Sequence, residues 1–191
     1  MLQDQPRRPE GSGSRPKASG KITPFLWFEK DCEEAINFYV DVFNSAPASK
    51  NDSQVSSIQK YPDNIPNPPW PKEMEGKVLT AVFELAGQRF MALDGGPGVF
   101  PKSGQVSLLI DCDTQEEVDH YWNKLTEGGD PKTQQCGWLQ DKYGIMWQVN
   151  PKILGELLSD ADKDKSGRVM QAMLEMKKID IQKLKQAYEG K

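Results

Sequence analysis

Histidine is nearly missing from this sequence: His120 is the one imidazole in 191 residues. Imidazole general-base chemistry therefore rests on a single side chain, and the surrounding pattern places it inside a helix. Cysteine is sparse too. Cys32, Cys112 and Cys136 are too few and odd in number, and none belongs to a CxxC pair, which excludes a disulfide framework. Reduced thiols and a cytoplasmic location are the expectation. No run of about 20 apolar residues exists to span a bilayer. The first residues lack the apolar core of a signal peptide. Positive charge is not in excess either: 24 Lys and Arg stand against 28 Asp and Glu, a net charge of −4. Such a chain has no electrostatic pull toward nucleic acid or an anionic membrane, so neither is an expected partner.

What is present falls into an ordered series. Residues 1–20 are rich in Pro, Gly, Ser and basic residues and read as a disordered tail. KITPFLWFE (21–29) is β-branched and aromatic and predicts a strand. In DCEEAINFYVDVFN (31–44) the apolar residues Ala35, Ile36, Tyr39, Val42 and Phe43 recur at helical spacing, with Asp31 placed as the cap and Glu34 completing a capping box. A strand over 54–61, a proline-rich loop over 62–71 and a hairpin of 77–87 and 88–94 complete a first unit. The order then restarts: a strand at 105–113, a helix at 114–129 capped by Thr114, and strands at 133–141 and 144–150. EEAINFY (33–39) lies over EEVDHYW (116–122) in register. A strand–helix–strands unit repeated once predicts an α+β fold of two βαβββ modules, 21–96 and 105–150. Residues 151–191 form a helical C-terminal extension, with Asp180 placed to cap its last piece.

These residues carry a family resemblance. DCEEAINFYVDVF resembles the first-helix signature of the vicinal oxygen chelate superfamily, the glyoxalase and bleomycin-resistance fold, and DKYGIMWQV (141–149) resembles its last-strand motif. FMALDGG, DTQEEVDHYW, QCGWLQDKYG and RVMQAMLEMKKIDI together are similar to the PhnB-like group, often labelled with a demethylubiquinone methyltransferase name. The resemblance implies a glyoxalase-like half-barrel around a pocket for a small organic ligand, and a homodimer. It also implies four metal-ligand positions, normally His or Glu. They fall on Pro24, on Ala92 or Met91, on Gln105 or Val106, and on Gln148. None is an acid or an imidazole, so the expectation is a pocket without the usual metal and without a cofactor. Strand parity within that resemblance gives Trp27, Phe90, Asp94, Gln105, Ser107, Trp138 and Gln148 as the candidate ligand-binding set.

Each candidate has a plainer reading. Asp94, in LDGG, suits a turn carboxylate bonded to backbone. Cys136 reads as a buried thiol in a strand. Glu33-Glu34 and Glu116-Glu117 suit helix N-termini better than acid–base chemistry. LDGGPGVF is Gly-rich, but no helix follows it at once, so it does not read as a nucleotide-type cofactor turn. DADKDKSGRVMQAM (160–173) resembles half an EF-hand loop, but counting from Asp162 puts Met173 where a bidentate Glu is required, so calcium is not expected. That stretch reads instead as a linker leading to a helix that starts near Gly167. Two other function classes stay open at this stage. One is a lyase, isomerase or dioxygenase with atypical ligands such as Asp94, Gln105 and Gln148. The other is a dimeric interaction protein that uses no pocket.

Overall fold

Each half of the chain begins with a short strand and an amphipathic helix, and the structure builds the same unit from both. It is a computed structural model that describes residues 23–63, 67, 70–97 and 106–191. The tail expected over 1–20 and the candidate Gln105 lie outside the described residues. In the first module β1 (Phe25–Phe28) leads to α1 (Cys32–Asn44), then β2 (Gln54–Lys60), β3 (Val78–Leu85) and β4 (Gln88–Asp94). The second repeats it with β5 (Leu108–Cys112), α2 (Gln115–Thr126), β6 (Asp130–Gln135), β7 (Trp138–Gln140) and β8 (Met146–Pro151). The sheets are ordered β1-β4-β3-β2 and β5-β8-β7-β6. In each the first strand pairs parallel to the last, and the remaining neighbours are antiparallel. This is the α+β pair of βαβββ modules that the repeat predicts. Helices α3 (Lys152–Leu158), α4 (Lys163–Leu174) and α5 (Ile181–Glu189) follow.

The helices pack in equivalent ways because their apolar stripes are equivalent. Ala35, Tyr39 and Val42 of α1 are buried, as are Val118, Trp122 and Leu125 of α2, residue for residue in the repeat. Beneath them one face of each sheet is apolar: Ala81, Phe83, Phe90 and Ala92 in the first, Ile110, Leu139, Trp147 and Val149 in the second. All belong to a single core. Aromatic contacts tie the halves together, with Tyr39–Trp147 and Phe43–Tyr121 ring centroids 5.4 and 5.1 Å apart. A fully buried side chain of this size contributes about 1.5–3 kcal/mol, so shared burial holds the modules as one body. The extension has its own smaller cluster of Leu154, Val169, Ile179 and Leu184.

Three local expectations are corrected. Residues 133–141 are not one strand: β6 and β7 form a hairpin whose turn is Cys136-Gly137, both at positive φ (52° and 82°). Two successive left-handed residues suit the twist of a tight hairpin. Gly137 is further required because a Cβ there would lie 2.2 Å from Asn150 Oδ1. Cys136 is accordingly half-buried at a turn rather than buried in a strand. Asp31 makes no side-chain cap bond to α1, whereas Thr114 and Asp180 do cap α2 and α5. Finally, α4 starts at Lys163, four residues earlier than Gly167, because Asp162 accepts from the Asp164 and Lys165 N–H groups and caps it.

Candidate functional site

Strand alternation leaves each sheet a second face, away from the helices. On the first sheet it carries Phe25 and Trp27, 50% and 37% exposed, paired with Met91 and Leu93. The Trp27 indole lies flat against Gly95, where any Cβ would sit 1.9 Å from Cζ2, and Trp27 Nε1 donates to Gly96 O at 3.4 Å. Gly95 of LDGG, just past the end of β4, thus makes room for Trp27 of β1.

On the second sheet one row of side chains crosses the four strands. Gln135 stands opposite Trp138, Trp138 opposite Gln148, and Gln148 beside Leu109, which is 54% exposed. Gln148 Nε2 donates to Ser107 Oγ at 2.9 Å. That bond leaves Gln148 Oε1 as an acceptor and the serine hydroxyl as a donor, side by side, with Leu109 and Trp138 paired to Gln148 on either side. The structure therefore brings Ser107, Trp138 and Gln148 together and puts Trp27 on the open face of the other sheet. Phe90 and Asp94 are on the helix side. Phe90 is 6% exposed and stacked on Phe83 with centroids 5.3 Å apart. A one-residue change in strand parity moves a side chain to the opposite face.

Asp94 is buried and both its oxygens are engaged: Oδ1 accepts from Cys32 N–H at 2.9 Å and Oδ2 from Val78 N–H at 3.0 Å. It fills the role that Asp31 leaves open, capping α1 from a strand more than sixty residues away in sequence. A second buried carboxylate, Asp141, accepts from Tyr39 O–H (2.7 Å) and Trp147 Nε1–H (2.8 Å), and from the Tyr143 and Ile145 N–H groups (2.9 Å each). Burial pushes its carboxyl above the usual carboxylate range, against the pull of those four bonds. Burial, then the charge of Asp141, raises the Tyr39 hydroxyl well above its usual value, so it remains a donor. The sequence motif around Asp141 marks this turn; its bond to Tyr39 in the other module has no sequence signal. His120 is used structurally, its Nε2–H donating to Val42 O of α1 at 2.8 Å. Burial also lifts the Cys32 and Cys112 thiols to about 12, which leaves them unreactive.

The sequence model of the family described as 3-demethylubiquinone-9 3-methyltransferase matches residues 20–150. The chain belongs to this family. A solved PhnB protein from Bacillus cereus is 37% identical over 69% of this chain and 98% of its own, with a TM-score of 0.54. Protein PA1353 from Pseudomonas aeruginosa is 24% identical, covers 68% of this chain and 96% of its own, and has a TM-score of 0.50; that likeness concerns the fold alone. None of the curated proteins matches the sequence. The PhnB-like match ends at Pro151's neighbour Asn150, so α3, α4 and α5 lie beyond it.

The positions where the resemblance implies metal ligands are otherwise occupied or poor donors. Pro24 is a proline whose carbonyl accepts from Met91 N–H, Ala92 is fully buried in the core, and Gln148 is bonded to Ser107. An amide and a thioether are a poor donor set for a divalent ion that prefers carboxylate and imidazole. Among the described residues no three His, Cys, Asp or Glu side chains lie together as a metal cluster. In the 160–173 stretch, Asp162 caps α4, and Asp160 accepts from Tyr188 O–H and Asp162 N–H. Among the described residues no helix is long and apolar enough to cross a membrane.

Proposed function

We propose that this PhnB-like, glyoxalase-fold protein binds a small organic molecule on the open face of its second sheet, without the divalent ion usual in the superfamily. The observation that carries the reading is the row Trp138–Gln148–Leu109 with Ser107 bonded to Gln148. It offers two apolar side chains, Trp138 and Leu109, flanking one neutral donor and one neutral acceptor. The chemistry suits a ligand with an aromatic or alkyl body and an uncharged hydrogen-bonding group, such as a phenol or an amide. We give the family's methyltransferase description no weight for the reaction: Gly95 of the Gly-rich stretch makes room for Trp27. The reading of Asp94 as an atypical metal ligand is disfavoured, since both its oxygens already hold backbone N–H groups.

A homodimer belongs to the same proposal. Phe25, Trp27 and Leu79 on the first sheet and Val106 beside the second are all more than a third exposed, and a second copy covering them would remove that area from water while leaving the row at Leu109 open. Sedimentation at micromolar concentration is expected to give a dimer; a monomer throughout would remove this part. Binding is tested by fluorescence titration of the full chain with the neutral probe N-phenyl-1-naphthylamine. Saturable binding is expected, weakened about ten-fold by Trp138→Ala as an aromatic contact and its buried area are lost. Absence of saturation, or no change with Trp138→Ala, would overturn the reading. So would about one tightly held divalent ion per chain in protein purified without chelators.

A further inference from the structure

The row that crosses the second sheet ends at Gln135, and Gln135 does not stop at the sheet edge. Its Nε2 donates at 2.7 Å to the carbonyl of Leu174, the last residue of α4. Carbonyls in the final turn of a helix have no partner within the helix, so a side-chain amide there fixes where the helix ends. Gln135 faces Trp138 directly across the hairpin, and Trp138 faces Gln148. The C-terminal turn of α4 is thereby tied to the same face that carries the proposed ligand platform.

A second set of bonds makes this placement firm. After α4 the chain wraps the tip of the β6–β7 hairpin: Cys136 and Gly137 N–H groups donate to the Met176 and Lys177 carbonyls, each at 2.8 Å. The strap then reaches α2, where the Gln115 side chain grips it like a neighbouring strand. Gln115 Nε2 donates to Ile179 O at 3.1 Å, and Gln115 Oε1 accepts from Ile181 N–H at 2.8 Å. Lys178 pairs with Asp119 at 2.7 Å. Contacts on both sides of the hairpin tip hold α4 at the end of the row. Two apolar residues of α4 are not buried: Met170 and Leu174, one turn apart, are 42% and 55% exposed.

We infer that the C-terminal extension supplies one wall of the ligand site, and that Leu174, held in place through Gln135, is a specificity-determining residue of the second sheet. Resting on the proposed binding of a small organic ligand, this deepens that reading: ligands long enough to pass beyond Trp138 gain an apolar contact from α4, whereas single-ring ligands do not. The extension lies beyond the family match, so the wall is an addition to the common two-module fold.

The test uses the full chain and two neutral probes of different length, N-phenyl-1-naphthylamine by fluorescence and p-cresol by calorimetry. Leu174→Glu is expected to weaken the long probe about five-fold, from the loss of roughly half a leucine's burial. Gln135→Ala is expected to shift it in the same direction, and p-cresol is expected to stay within about two-fold for both variants. Leu174 is exposed, so an unchanged unfolding midpoint is expected to accompany Leu174→Glu. If neither variant alters the long probe while Trp138→Ala weakens it, the wall is absent and the binding reading stands. Equal weakening of both probes also overturns the wall. If the native chain binds neither probe, the binding reading and the wall fail together.

Discussion

Asp94 and Asp141 are both buried carboxylates with every oxygen engaged by protein donors, and they do opposite jobs. Asp94 closes its own module: its two oxygens join the start of α1 to the start of β3. Asp141 spends two bonds on its own turn, a third on Trp147, and the fourth on Tyr39 of the other module. The two modules share a repeat but not this polar design. One acid assembles a unit, and the other joins two units into a single core. That contrast also explains an asymmetry between the helices. α2 is capped locally by Thr114, with Glu117 accepting from Asp113 N–H, whereas α1 borrows its cap from the far end of β4.

Substitutions should rank these roles. Asp141→Ala leaves four donors without an acceptor and is expected to cost about 4 kcal/mol in denaturant unfolding. Asp94→Ala strands two buried N–H groups and should cost about 3 kcal/mol. Tyr39→Phe removes only one of the bonds between modules, the one to Asp141, and a loss of about 1.5 kcal/mol is expected; a loss as large as that of Asp141→Ala would mean the worth of Asp141 resides in this one bond. Thr114→Ala should cost about 1 kcal/mol as an ordinary cap deletion. Asp31→Ala should stay within about 0.5 kcal/mol of the native chain. If Asp31→Ala proved the more damaging of Asp31→Ala and Asp94→Ala, the borrowed cap would be wrong.

The sequence carried the architecture well because apolar periodicity is a local signal. The matched stripes of 33–39 and 116–122 became matched buried faces on α1 and α2. The caps at Thr114 and Asp180 were legible for the same reason, since cap and helix are neighbours in the chain. What was not legible depends on distance or parity. Asp31 has the right letter in the right place, but the acceptor that reaches Cys32 N–H comes from β4. Of the proposed site residues, Trp27, Ser107, Trp138 and Gln148 share the sheets' open side, whereas Phe90 and Asp94 fall on the helix side; one residue of register separates the two cases. Leu109 and Leu93 on the open faces are not among the expected residues, although the burial alternation of their strands identifies them. The strap from Met176 to Ile181 bonds chiefly through backbone carbonyls, which no residue type announces.

Ligand binding on the open face of the second sheet is directly observable. A crystal structure of the full chain grown with N-phenyl-1-naphthylamine tests it most directly. The naphthyl ring is expected against Trp138 and Leu109, with the probe's amine N–H within hydrogen-bond reach of Gln148 Oε1. A probe bound elsewhere, with this row left untouched, would contradict it.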